Sequence, residues 1–217
     1  MRHRDVNTSR RLAYIVRTRR ARRSRRRVSV PLRRRINHDE PSSMAFDNTT
    51  SLSGDLLHRL CLAGMEGWSV GAVSVRVRYT RSTPFSGTCI YEDRRIYVNL
   101  GRHLRYPYRM KTNLAKVRTL GFGWRRPIFR LEMRDAYQLA VFIFMHELYH
   151  LLVYRAGRNT RQKESMCDRF AARYLVDRFG CQVRTERGEL VPRDEWDFQD
   201  LDGFVGAARF RRSAVAV

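Results

Sequence analysis

The sequence predicts an α+β fold, and three observations carry the prediction. Val73, Val75, Val77 and Tyr79 alternate with Ser74, Arg76 and Arg78, the period of a half-buried strand. The segment TCIYEDRRIYVNLG (88–101) reads as a hairpin turning at Glu92 to Arg94, with RIYVNL as its second strand. Two long apolar-bearing stretches, near 134–154 and 163–179, read as consecutive helices separated by the polar RAGRNTRQ. Together they give a small, mostly antiparallel sheet of about three strands, preceded by one helix and followed by two.

The elements follow in chain order. Residues 1–35 hold 15 arginines against the single acid Asp5, too much like charge and too little apolar surface to fold, so a disordered arm is expected. A polar linker, NHDEPSSMAFDNTTS, ends near Ser53, which is placed to cap a short helix, GDLLHRLCLAGMEG. The stretch 101–134 resists assignment, with turn signals at Pro107, Gly121, Gly123 and Pro127. Gly180 closes the last helix, and the remainder reads as a hairpin around Arg187–Gly188 followed by a short acidic segment. The domain reading is therefore an arm and linker over 1–53, a core domain over 54–180 and an extension over 181–217.

At 217 residues the chain is long enough to bury one core without a disulfide framework. Cys61, Cys89, Cys167 and Cys181 show no paired spacing and read as reduced, mostly buried small residues. The longest apolar run, Leu139 to Met145, is too short to span a bilayer, and nothing after the basic N-terminus resembles a secretory signal. A cytoplasmic protein without a membrane partner is expected.

The net charge of +23 comes almost wholly from arginine, since lysine occurs only at 111, 116 and 163. Without the first 35 residues, 29 basic and 20 acidic residues still leave +9. Arg94 to Leu131 contains no acid, eleven Lys or Arg and six aromatics, Tyr106, Tyr108, Phe122 and Trp124 among them. Charge for phosphates and rings for stacking suit nucleic acid, so the Arg-rich arm and the basic loop 94–131 are its candidate contacts. The plainer reading is a solvated tail and a basic loop whose aromatics turn to the core.

The chemistry concentrates in FIFMHELYHLL (142–152). On a helix His146 and His150 share one face, so both imidazoles can reach one ion, and Glu147 stands where a carboxylate takes a proton from a water at that ion. Three protein ligands with one open position make a catalytic zinc site. The apolar flanks, Val141 to Met145 with Leu148, Leu151 and Leu152, bury the helix and dry the site. Arg155 occupies the fifth position after His150, which removes the arrangement of SprT-like proteins, and Val153 and Ala156 break the metzincin pattern. On the following helix, KESMCDRFAARYL sets Glu164 and Asp168 four apart on one face. Glu164 can complete the site while Asp168 accepts a hydrogen bond from a ligand imidazole.

HELYH, a short loop and ESMCDRFAARYL together resemble the HExxH…ExxAD-FA pattern of gluzincin metallopeptidases, nearest the compact ImmA/IrrE-type branch. The resemblance covers roughly residues 54–180 and is concentrated at the motifs. It implies a minimal zincin domain in which His146, His150 and Glu164 bind Zn2+, Glu147 is the general base and Asp168 supports a ligand. Cys167 stands where the pattern has Ala, a change expected to affect packing alone. The implied activity is zinc-dependent hydrolysis of a protein or peptide substrate, one bound to nucleic acid included. The substrate would lie extended along RIYVNL as an edge strand. Tyr154, Arg161 and Tyr174 are the candidates for stabilising the oxyanion. The competing reading is a basic nucleic-acid-binding or regulatory protein with a structural or degenerate zinc site.

Overall fold

The computed structural model describes residues 42–121, 123–159 and 164–208. The expected disordered arm, residues 1–35, lies outside them. The fold is α+β: a four-stranded sheet packs on a central helix, which two further helices and a three-stranded sheet also contact.

The chain enters through β1 (Ser43–Asn48), crosses α1 (Gly54–Met65) and returns as β2 (Ala72–Thr80), parallel to β1 from Ser43↔Ala72 to Asn48↔Val77. Ser53 caps α1 as expected, its hydroxyl accepting from the Leu56 N–H at 3.3 Å. β3 (Phe85–Ile90) and β4 (Arg95–Gly101) form the expected hairpin, with Arg94 in the left-handed region (φ 49°) at its turn. The sheet order is β1-β2-β4-β3.

Two expectations are corrected here. The sheet has four strands rather than about three, and it is mixed: β1·β2 and β2·β4 are parallel, and β3·β4 alone is antiparallel. The fourth strand comes from the segment read as linker. Its apolar content is little more than Met44 and Phe46, half-buried at the sheet edge, which gives a weak alternation signal. A helix between two strands is itself the signature of a parallel crossover. The second correction concerns RIYVNL. It is β4, an interior strand paired on both sides, so among the described residues the edge strand on that side is β3, with β1 at the other edge.

The unassigned stretch supplies four more strands: β5 (Tyr108–Thr112), β6 (Arg118–Leu120), β7 (Gly123–Arg125) and β8 (Phe129–Met133). β6 and β7 make a two-stranded ribbon, while β8 sits between β5 and β9 (Gln182–Thr185) in an antiparallel sheet. Alternation in β5 and β8 rests on few apolar residues (Met110, Phe129, Leu131, Met133), interspersed with charges.

Helix α2 (Ala136–Arg155) is the centre of the fold. Asp135 caps it, accepting from the Gln138 N–H, while the Gln138 side chain accepts from the Arg134 N–H. Nearly every residue from Gln138 to Val153 is buried, so the helix is apolar all round. By length and composition it would also cross a membrane, yet here α1, α3 (Glu164–Phe179), β3 and β4 pack around it. The described part of α3 runs from Glu164 to Phe179, and Gly180 follows it with a φ of 64° that suits glycine.

Residues 181–208 pack against the preceding elements. β9 joins β8, Arg184 bridges to Leu190 across the expected turn at Gly188, and Trp196, Leu201, Val205 and Ala208 are buried in the common core. The Tyr149 hydroxyl of α2 donates to the Leu201 carbonyl in the short helix α4 (Leu201–Phe204) at 3.0 Å, so this segment also satisfies a buried polar group.

Candidate metal centre

Spacing on α2 and its packing on α3 bring the expected side chains together. His146, Glu147 and His150 are 1%, 2% and 4% exposed, a degree of burial that polar side chains tolerate only with partners. Glu164 supplies one: its Oε2 lies 3.2 Å from His146 Nε2, and its Oε1 lies 3.5 Å from His150 Nε2. Donors bonded to a tetrahedral metal at about 2.05 Å stand about 3.3 Å apart, close to the spacing each imidazole Nε2 has to one oxygen of this carboxylate. Neither ring nitrogen of His150 has a hydrogen bond among the described residues. A buried imidazole in that condition has a reason to be there if it ligates.

Behind His146 stands Asp168. Its Oδ1 accepts from His146 Nδ1 at 2.9 Å, which turns Nε2 toward Glu164. Asp168 Oδ2 in turn accepts from the Asn113 N–H at 2.8 Å and from Asn113 Nδ2 at 3.0 Å. The Asn113 loop is itself fixed, since Arg169 Nε donates to the Leu114 carbonyl at 3.0 Å and Leu114 is fully buried. Sequence reasoning missed Asn113 because a lone Asn in an unassigned loop 55 residues away carries no local signal.

Electrostatics match the geometry. Burial opposes the charge on His146, but hydrogen bonds to Asp168 and Glu164 overcome it and push the imidazole up to about 10. Burial also opposes the charge on Glu164, and the two imidazoles reverse that and hold its carboxyl below the usual range. Glu147 moves the other way: burial raises it, against the pull of both histidines. A carboxyl raised beside a cation-binding site has the character of a proton acceptor and donor.

The Glu147 carboxylate lies against Gly87 of β3. A Cβ built on Gly87 would fall 2.2 Å from its Oε1 and 2.7 Å from its Cγ and Cδ. The glycine is therefore the seat of the acid, and the free edge of the sheet runs past the centre.

Cys167 has a larger place than the sequence suggested. Its buried thiol lies with ligand atoms of His146 and His150 so that all three are within 4.8 Å of one another, a group that can hold a metal. Burial pushes this thiol well above its ordinary value. Cys167 is thus a second candidate for the third donor, beside the Glu164 carboxylate.

The three candidates for oxyanion stabilisation separate. Tyr154 is one turn beyond His150, part-exposed, its ring stacked on Tyr91 at the β3–β4 turn with centroids 5.0 Å apart. Tyr174 is not brought to the centre. It lies ten residues along α3 from Glu164, about 15 Å of helix, and its ring meets Phe179 edge-on. Arg161 lies outside the described residues. Comparison with known proteins adds no further constraint: no family model, curated protein or solved structure matches the chain.

Proposed function

We propose that the chain is a zinc-dependent metallopeptidase of the compact zincin type. The observation that carries the reading is the Glu164 carboxylate set between the Nε2 atoms of His146 and His150, 3.2 and 3.5 Å away, with Asp168 on the far nitrogen of His146. His146, His150 and Glu164 would hold the ion, and the resemblance to gluzincins rests on the same residues. Zinc bound there would supply a Lewis acid for the scissile carbonyl and lower the pKa of water.

The chain's own residues do the rest. Glu147 takes the proton of the attacking water and passes it to the leaving amine, a role its raised pKa suits. Asp168 holds His146 in the tautomer that leaves Nε2 available. The peptide lies extended along β3, the edge strand at the centre, and takes backbone hydrogen bonds from it. Tyr154 is the remaining described candidate for steadying the oxyanion. The apolar shell of α2 keeps bulk water away and strengthens these interactions.

A second reading, a basic protein with a structural zinc site, has Cys167 in its favour, because a fourth protein donor would close the ion to substrate. One comparison decides between them. Wild type and Glu147→Gln should each hold about one zinc per chain, with hydrolysis of an unfolded protein substrate in wild type alone. Equal activity in both, or none in wild type with zinc bound, rejects the peptidase.

A further inference from the structure

The β6–β7 ribbon joins neither larger sheet among the described residues, and the chain around it is cationic. Among the described residues Trp124 on β7, 74% exposed, is the most exposed of the large apolar side chains and makes no ring contact. Val117, just before β6, is also exposed. The register sets Arg118 opposite Arg125 and Thr119 opposite Trp124. A two-stranded ribbon is marginal on its own. From Lys116 to Arg126 the chain holds four basic residues and no acid, and Arg126 is exposed with no ion pair among the described residues.

The base of the ribbon is anchored. Leu114 and Ala115 are fully buried, Arg169 holds the Leu114 carbonyl, and the Lys116 ammonium lies 4.6 Å from the centre of the Phe198 ring. Other basic residues of the region are already engaged, Arg109 with Glu132 and Arg130 with Glu186. A fixed stem thus carries a cationic tip with one bare indole.

We propose that the β6–β7 ribbon is a docking surface for single-stranded nucleic acid, with a base stacked on Trp124 and phosphates held by Lys116 and Arg126. Single strands fit better than duplexes because a base must leave its neighbours to meet the indole, and the surrounding charge complements a phosphate backbone. The surface stands whether or not the chain is a peptidase. Its placement matters for that reading all the same, because Asn113, five residues before β6, holds the Asp168 partner of His146. A protein carried on the bound strand would be presented beside the metal centre.

The test titrates the full chain with oligothymidylate, following tryptophan fluorescence, alongside Trp124→Ala, Trp124→Phe and Arg126→Ala. Trp68 packs on Phe170 and Trp196 is buried, so quenching should come from Trp124 and vanish in both Trp124 variants. Followed by fluorescence anisotropy of labelled oligothymidylate, Trp124→Ala should bind about ten-fold more weakly, with Trp124→Phe keeping most of the affinity. Arg126→Ala should reduce the slope of log K against log salt by about 0.7. Heparin should compete without reproducing the quenching. Unchanged affinity in Trp124→Ala, equal quenching by heparin, preference for duplex, or a response only to anionic lipid vesicles or acidic proteins would overturn the proposal.

Discussion

Replacing Gly87 with alanine places a methyl group in the volume that the Glu147 carboxylate occupies. The added Cβ would stand 2.2 Å from Oε1 and 2.7 Å from Cγ and Cδ, about 1 Å inside ordinary contact, and all three of its nearest atoms belong to that one side chain. Gly87 is not in the left-handed region, so backbone strain adds nothing and the collision is the whole effect. Either β3 moves away from α2 or Glu147 leaves its seat. Overpacking of this kind costs about 1–3 kcal/mol, which for a chain of this size lowers Tm by roughly 2–12 °C. Displacing a general base costs about 10²- to 10⁴-fold in kcat.

A thermal-unfolding cycle isolates the cause. Gly87→Ala should be destabilising in wild type and nearly neutral beside Glu147→Ala, where Cγ, Cδ and the oxygens are gone. The coupling should be on the order of 1 kcal/mol or more. Zinc content should stay near one per chain in the single variant, because none of the three proposed ligands is touched. Equal destabilisation in both backgrounds, or full kcat in Gly87→Ala, would refute the claim that the glycine seats the acid.

Other outcomes follow from the same geometry. Asp168→Ala should weaken zinc binding about 10- to 100-fold by releasing His146, with Asn113→Ala losing less because the backbone N–H bond to Asp168 depends on the loop as well; zinc competition with a chelator reads both. The metal-free protein should lose stability as pH rises. His146 is raised from 6.5 to about 10 in the fold, so its contribution is complete below 6.5 and disappears on the way to 10. Zinc needs the neutral ring, so its stabilisation should grow with pH over the same window, and a melting series with and without zinc should show opposite slopes. Glu164→Ala should lose zinc while Cys167→Ser keeps it. The reverse pattern, with a sulfur-to-metal charge-transfer band in the cobalt-substituted wild type that Cys167→Ser abolishes, would make the thiol the third donor.

Much of the centre was legible because helical spacing determines it. His146 and His150 are four apart, as are Glu164 and Asp168, and two adjacent helices joined by a short loop bring those faces together. The strands with strong alternation, β2 and the β3–β4 hairpin, were legible for the same reason. What escaped depended on partners distant in the chain. β1 has too few apolar residues to announce itself and is recruited by pairing with β2. β4 reads as well for an edge as for an interior strand, so only the sheet order shows that β3 lies free beside Glu147. Asn113 and Cys167 matter through contacts between segments, which no local pattern encodes. Tyr174 failed as a candidate because helical rise carries it away from the ligands.

X-ray absorption at the zinc edge of the purified protein tests the central claim most directly. About one zinc per chain, with only nitrogen and oxygen neighbours at about 2.0–2.1 Å, is the result expected for His146, His150 and Glu164 with one position left for water. No zinc, or a sulfur neighbour at about 2.3 Å, would contradict it, the second by making Cys167 a ligand.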